Sequence, residues 1–179
     1  MKHDTIVKQP VIETERLVLR PLRRSDVGLL EMYGADERVA RMTRTIPHPL
    51  PPGVAEQFIQ GALAEDRTED IWALDGTISG LGEVMGLISL DQMDRDQSEV
   101  GYWIAPAFWN SGLASEAVTA LIAANPHADK TMFASVFQDN PASARVLTNT
   151  GFEYLGDAEA FSVARGSTVP TWTYLKRLQ

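Results

Sequence analysis

Short stretches of alternating apolar and polar residues, broken by stretches of helical period, run along the chain. From Thr14 to Pro21 it reads Thr-Glu-Arg-Leu-Val-Leu-Arg-Pro, with Leu17 and Leu19 alternating with Val18 and Arg20, which predicts a strand. Ser25-Asp26 offers a helix cap before an apolar stretch that reaches Tyr33. Residues 43–53 contain Pro47, Pro49, Pro51 and Pro52 and read as a loop. Val54, Phe58 and Ala62 recur at helical spacing, giving a helix to about Asp66. Ile71 to Leu74 and Val84 to Leu90 are short apolar runs separated by Gly76, Gly80 and Gly82, and a further strand runs from Glu99 to Ile104 and stops before Pro106. Gly112 to Ala124 reads as a helix with Leu113, Ala117, Ala120, Leu121 and Ala124 on one stripe, ended by Asn125-Pro126. Met132 to Phe137 is a strand, Pro141 to Thr150 a helix stopped by Gly151, and Phe152 to Leu155 and Thr171 to Leu175 are closing strands.

The order β-α-α-β-β-β-α-β-α-β-β predicts an α/β (α+β) fold, a mixed sheet covered by helices. With no repeat, low-complexity tract or obvious linker, residues 1–179 are expected to form one domain.

Composition narrows the function. Hydrophobic residues at 44% and charged residues at 22% are ordinary for a globular protein. No window approaches the roughly 20 apolar residues that span a bilayer, and the first residues carry no signal-type apolar core. A cytoplasmic location away from membranes is the expectation. The absence of cysteine excludes disulfides, thiolate metal sites and a cysteine nucleophile. A net charge of −8 argues against nucleic acid as a partner, because phosphate binding needs a basic face. It suits a small or cationic substrate, or serves solubility alone.

Two segments carry candidate chemistry. In the first, the strand Glu99–Ile104 passes through Ala105-Pro106-Ala107-Phe108-Trp109-Asn110-Ser111 into the helix that opens at Gly112. Such a loop aims free backbone N–H groups and the positive end of a helix at one point, which suits a phosphate or pyrophosphate; an ordinary tight connection is the other reading. It is neither a P-loop, lacking Gly-Lys-Ser/Thr, nor a Rossmann turn, having one glycine rather than three. The second segment is Asn140-Pro141-Ala142-Ser143-Ala144-Arg145-Val146-Leu147, ending at Gly151-Phe152. Asn140 followed by Pro141 is also what a plain helix start requires.

Taken together, these segments resemble the GNAT acetyltransferases, in particular the branch of the RimJ and RimL ribosomal-protein N-acetyltransferases. Glu13 to Pro21 is similar to that branch's opening strand. The acyl-CoA motif, Gln/Arg-x-x-Gly-x-Gly/Ala, falls on Trp109 to Ala114, with the branch's Trp in first place and its Ser/Thr-Glu-Ala continued in Ser115-Glu116-Ala117. The second motif, Asn-x-x-Ser-x-x-Val-Leu-x-x-x-Gly-Phe, matches Asn140 to Phe152 at every specified position. The sequence departs from the branch at Asn110 and Ser111, where Gly and a basic residue are common, and in the short, irregular segment Asn125 to Thr131.

The resemblance implies a GNAT-like sheet whose central strands splay apart around acetyl-CoA, and a reaction without a metal. Tyr102, Trp103 and Ile104 would bind the pantetheine arm through backbone groups. Trp109, Asn110, Ser111, Gly112, Leu113, Ala114 and Ser115 would cradle the pyrophosphate. Asn140 would hold the pantetheine from the other side. A primary amine, on a protein N-terminus or a small molecule, would attack the thioester directly in a ternary complex. Glu99 is the candidate base, with His48 as a rival. Ser143 is the candidate donor to the leaving thiolate and a further cofactor contact. Many family members carry a tyrosine where this chain has Leu147, one helical turn from Ser143 and on the same helical face. The alternative is a protein of the same fold that binds acyl-CoA without catalysis, as a sensor or partner subunit. The resemblance also admits a homodimer. Acceptor choice is expected to rest on the loop Gly34 to Gly53.

Overall fold

A computed structural model describes residues 9–178. Eight strands form one sheet in the order β1-β2-β3-β4-β5-β6-β8-β7, antiparallel at every junction except β5/β6. The strands are β1 (Ile12–Glu13), β2 (Val18–Pro21), β3 (Glu69–Asp75), β4 (Gly86–Met93), β5 (Gln97–Ile104), β6 (Thr131–Phe137), β7 (Glu153–Ser162) and β8 (Ser167–Arg177). The helices are α1 (Val27–Gly34), α2 (Glu37–Ala40), α3 (Val54–Ala62), α4 (Leu113–Ala124) and α5 (Pro141–Asn149).

The two sheet faces carry separate cores. Leu19, Trp72, Leu74, Ile88, Leu90 and Val100 pack with α4 and α5 residues such as Leu121 and Leu147. On the opposite face, Leu22, Ile71, Ala73 and Leu87 pack with Leu30 of α1 and Ile59 of α3. Alternation along each strand assigns successive side chains to the two faces.

Several boundaries differ from the sequence expectation. The segment 14–21 is not one strand: Thr14 N–H bonds the Leu17 carbonyl, closing a turn between β1 and β2. Asp26 makes no side-chain cap to α1; its two carboxylate oxygens accept from buried Arg20 at 3.0 Å each, and Arg20 also reaches Asp75 at 2.8 Å. A buried guanidinium has to be paired, so Asp26 is drawn inward rather than to the helix end. The helix expected to reach Asp66 ends at Ala62, and the short α2 was not foreseen. Largest of all, the expected closing strands Phe152–Leu155 and Thr171–Leu175 are the inner parts of a long β7–β8 hairpin. Its outer edge is exposed on both faces, so no apolar alternation marks it.

The irregular segment Asn125–Thr131 has its own lock. Asn125 ends α4 in the left-handed region at φ 41°, and His127 sits between Ser98 and Asp70. The Ser98–His127–Asp70 distances, 3.1 and 2.9 Å, are those of a nucleophilic triad, but Ser98 has no exposed surface. The group pins the loop to the sheet. No helix among the described residues is long and apolar enough to cross a membrane.

Candidate active site

β5 and β6, the sole parallel pair among the described residues, pair only at Gln97–Thr131, Ser98–Met132 and Glu99–Phe133. Beyond Glu99 the strands part, leaving the rest of β5 and β6 unpaired with each other, which is the splay expected from the resemblance. Two cavities occupy the gap. One, of about 590 Å³, opens toward α1 and α3; the other, of about 420 Å³, lies toward α4 and α5. Both are lined by Met42, Val100 to Trp103, Ser135 and Val136, so they meet through the parted strands.

The smaller cavity gathers most of the predicted residues: Tyr102, Trp103, Ile104, Trp109 to Ser115, Asn140 and Ser143 all line it. Gly112 caps α4 at φ 78°, a left-handed conformation that side chains disfavour. Asn110 also sits at positive φ, 59°. Asparagine is among the few non-glycine residues that tolerate this region, which explains how it stands where relatives have glycine. Leu113 contributes backbone only, since its side chain is buried in the core. Trp109 donates from Nε1 to the Ile104 carbonyl at 2.6 Å, and Ser111 Oγ donates to the Phe108 carbonyl at 2.5 Å, closing the loop on itself. The helix start thus presents free N–H groups to the cavity, as an anionic pyrophosphate requires.

The cations that the loop lacks come from elsewhere. Arg16, in the turn before β2, donates to the Ser111 carbonyl at 2.9 Å and pairs with Glu116 of α4 at 2.7 Å. Burial alone would raise the Glu116 carboxyl, but hydrogen bonds from Thr14 and Arg16 hold it below its ordinary value. Arg16 braces the loop from behind, whereas Arg38 of α2, over Trp109 at 5.8 Å, and Arg145 of α5 line the cavity itself. Sequence reading missed all three, because their contribution depends on distant elements meeting here.

Asn140 fulfils the plain helix-start reading, accepting through Oδ1 from the Ser143 N–H at 3.3 Å. Its amide nitrogen remains as the donor for a ligand. Ser143 Oγ donates to the Tyr102 phenol at 2.9 Å, and the phenol donates to the Ser143 carbonyl at 2.9 Å. Burial pushes the Tyr102 phenol up to about 12. Tyr102 was expected to act through its backbone; its side chain turns out to be the partner of the candidate donor. Leu147 does not share the cavity with Ser143. It has no exposed surface and lies in the core under α5 with Ala144, whereas Ala142, Ser143, Val146 and Asn149 form the stripe of α5 that lines the cavity. The expectation that both positions point to one place is corrected.

Glu99 lines the larger cavity, where Arg44 donates to it at 3.2 Å. His48 is exposed and lines neither cavity, although Pro47 and Leu50 on either side do line the larger one. Its place on the outer side of the loop removes it as a rival base.

The family model described as acetyltransferase (GNAT) domain matches residues 16–153. The chain belongs to the GNAT acetyltransferases. It is similar to the uncharacterized N-acetyltransferase YoaA of Bacillus subtilis (strain 168), with 26% identity over 170 residues, covering 92% of this chain and 95% of that protein. Among solved structures it is similar to RimL, the ribosomal L7/L12 alpha-N-protein acetyltransferase in complex with coenzyme A, at TM-score 0.80 and 17% identity, covering 94% and 98% of the two chains. It is also similar to the microcin C7 self-immunity acetyltransferase MccE in complex with acetyl-CoA and AMP, at TM-score 0.79 and 15% identity, covering 92% and 93%.

Proposed function

We propose that the protein transfers the acetyl group of acetyl-CoA to a primary amine by direct attack in a ternary complex. The observation that carries this reading is the pair of cavities meeting where β5 leaves β6. One side has the backbone donors and arginines that suit a pyrophosphate; the other is a separate chamber for an acceptor. Relatives bound to acetyl-CoA or coenzyme A support the donor side.

In this reading the unpaired edge of β5 from Val100 to Ile104 bonds the pantetheine arm, and the α4 start holds the pyrophosphate. A backbone N–H of β5 stabilises the oxyanion formed on attack. Ser143 donates a hydrogen bond to the departing sulfur. Glu99, at the last bonded pair before the strands part, attracts the ammonium and is the candidate base, through water. The thioester is already activated, so no covalent enzyme intermediate and no metal are needed.

The acceptor class is a primary amine, on a protein N-terminus as in the RimL relative or on a small molecule. The chamber's chemistry favours a cationic acceptor, since Glu69, Asp91 and Glu99 line it against one arginine, Arg44. Incubation with acetyl-CoA and a panel comprising Ser- and Ala-initiated peptides, a polyamine and an aminoglycoside, followed by free-thiol release, tests the reading. Coenzyme A binding without thiol release for any amine would favour the non-catalytic binder instead.

A further inference from the structure

The acceptor chamber holds a polar line of which the reaction above uses only Glu99. Glu69 of β3 stands opposite Asp91 of β4, and Asp91 stands opposite Glu99 of β5. Directly paired antiparallel residues share a face, so the three carboxylates form one row across the sheet, turned toward α1 and α3. The adjacent row on that face is Ile71, Ser89 and Gly101. Ser89 is the diagonal neighbour of Glu69 on that face, one strand across, and both side chains line the chamber. Ser89 Oγ also lies 3.1 Å from the point where a Cβ on Gly101 would stand. A polar route therefore runs from Glu69 through Ser89 to the bare backbone of Gly101, where β5 has just parted from β6. The missing side chain at Gly101 leaves room for a nitrogen beside Ser89.

We propose that, in place of the Glu99-and-water route, the acceptor ammonium loses its proton through Ser89 to Glu69, while Glu99, held by Arg44, supplies the charge that draws the ammonium in. The proposal rests on the larger cavity being the acceptor chamber. One N–H bond of the ammonium breaks as its proton passes to Ser89 Oγ, and the Ser89 hydroxyl proton passes to a Glu69 oxygen. The freed lone pair forms the N–C bond to the thioester carbon. As the tetrahedral adduct collapses, the C–S bond breaks and the nitrogen gives up its second proton, which ends on the coenzyme thiol. Glu69, then a neutral acid, releases its proton to solvent before the next turnover.

The surroundings of Glu69 suit that role. Burial pushes its carboxyl above the ordinary value, and the charges of Asp91 and Glu99 add to this, against the nearby Ser89 hydroxyl and Arg44. From α3 the chamber receives Gln57 and Phe58, which carry no charge. A carboxylate that holds its proton more firmly is a better base at neutral pH. Glu99, by contrast, already accepts from Arg44.

The test measures thiol release against pH with acetyl-CoA and either spermidine or a Ser-initiated tetrapeptide. Glu69→Gln is expected to lower kcat/KM about a hundredfold and to abolish the acidic limb of the profile. Ser89→Ala should act in the same direction, and Ser89→Thr, which keeps a hydroxyl, should recover most of the loss. Glu99→Gln should raise KM for the amine and leave the limb in place. Coenzyme A affinity should be unchanged throughout. Glu69→Gln should melt no lower than the parent, because a carboxyl pushed upward by burial is an unfavourable charge in the folded state. Retention of the limb in Glu69→Gln, or its loss only in Glu99→Gln, overturns the relay. Gln57→Trp, which narrows the chamber, checks the underlying reading separately. If it leaves the amine KM unmoved, or if the parent acetylates neither amine, the chamber assignment fails and the relay with it.

Discussion

Tyr102 and Ser143 are joined by two hydrogen bonds, one from the serine hydroxyl to the phenol and one from the phenol to the serine carbonyl, both 2.9 Å. The phenol, pushed up to about 12 by burial, keeps its proton at any physiological pH. It therefore holds Ser143 in place at the edge of the coenzyme cavity. When a thiolate develops there, the serine hydrogen has only to swing from one acceptor to another.

Ser143→Ala should lower kcat by about 2–4 kcal/mol of transition-state stabilisation while leaving coenzyme A affinity nearly unchanged. Tyr102→Phe should cost less, since it removes the holding group and not the donor. The double variant should lose less than the two single losses combined, because both act on one hydroxyl. Thiol release for turnover and calorimetry for binding check this. Full turnover in Ser143→Ala would reduce Ser143 to a helix-start residue.

Adding Leu147→Tyr to Ser143→Ala should not restore activity, since residue 147 is in the core and not in the cavity. The larger phenol should instead overpack the site and destabilise the fold by about 1–3 kcal/mol. Urea unfolding of Leu147→Tyr alone measures that cost.

Gly112→Ala should weaken coenzyme A binding, because any side chain at φ 78° costs roughly 1–2 kcal/mol of loop conformation. Space is not the obstacle in the protein itself: an added Cβ would meet only Arg16 Nη2, at 3.5 Å. Asn110→Gly should leave affinity intact, since glycine fits φ 59° at least as well. Calorimetry in excess chelator should give the same affinity as without it; a requirement for a divalent ion would contradict the metal-free reading.

Grafting residues 43–53 from a relative should change the acceptor profile and leave coenzyme A affinity alone. Thr43 to Pro47 and Leu50 line the acceptor chamber only, whereas Arg38 and Val39 line the coenzyme cavity and Met42 lines both. The graft must therefore begin after Met42, later than Gly34, where the expected acceptor loop begins, and in agreement with the proline-rich stretch 43–53. A shift in coenzyme affinity without a shift in acceptor choice would reverse these roles.

Glu116 ties the pyrophosphate loop to the acid limit of stability. Its folded value lies below the ordinary 4.5, so the charged form is favoured by folding. The stability it contributes is complete above the unfolded value and is lost as pH falls through the folded one. Glu116→Gln should therefore be less stable than the parent at neutral pH, with the difference shrinking below about pH 4.5. Thermal melts over that range give the comparison.

Local patterns were enough for the elements that bury one face, and for the two segments that line the smaller cavity. Leu113, Ala117 and Leu121 announced α4 because a buried stripe must repeat with the helical turn. Asn140-Pro141 announced α5 because capping is a local hydrogen bond. Beyond Phe152–Leu155 and Thr171–Leu175 the β7–β8 hairpin gave no such signal: an edge strand exposed on both faces has no reason to alternate. What the sequence by itself determined was the family, most of the order of elements and the contiguous residues that line one wall of the smaller cavity, all properties of contiguous segments. What only the tertiary structure decided was who meets whom: Tyr102 with Ser143, Arg16 with the loop before α4, Leu147 with the core, and Glu69, Ser89 and Gly101 in one line. These depend on strand register and helix tilt, which are set by packing between segments far apart in the chain, and no local pattern records them.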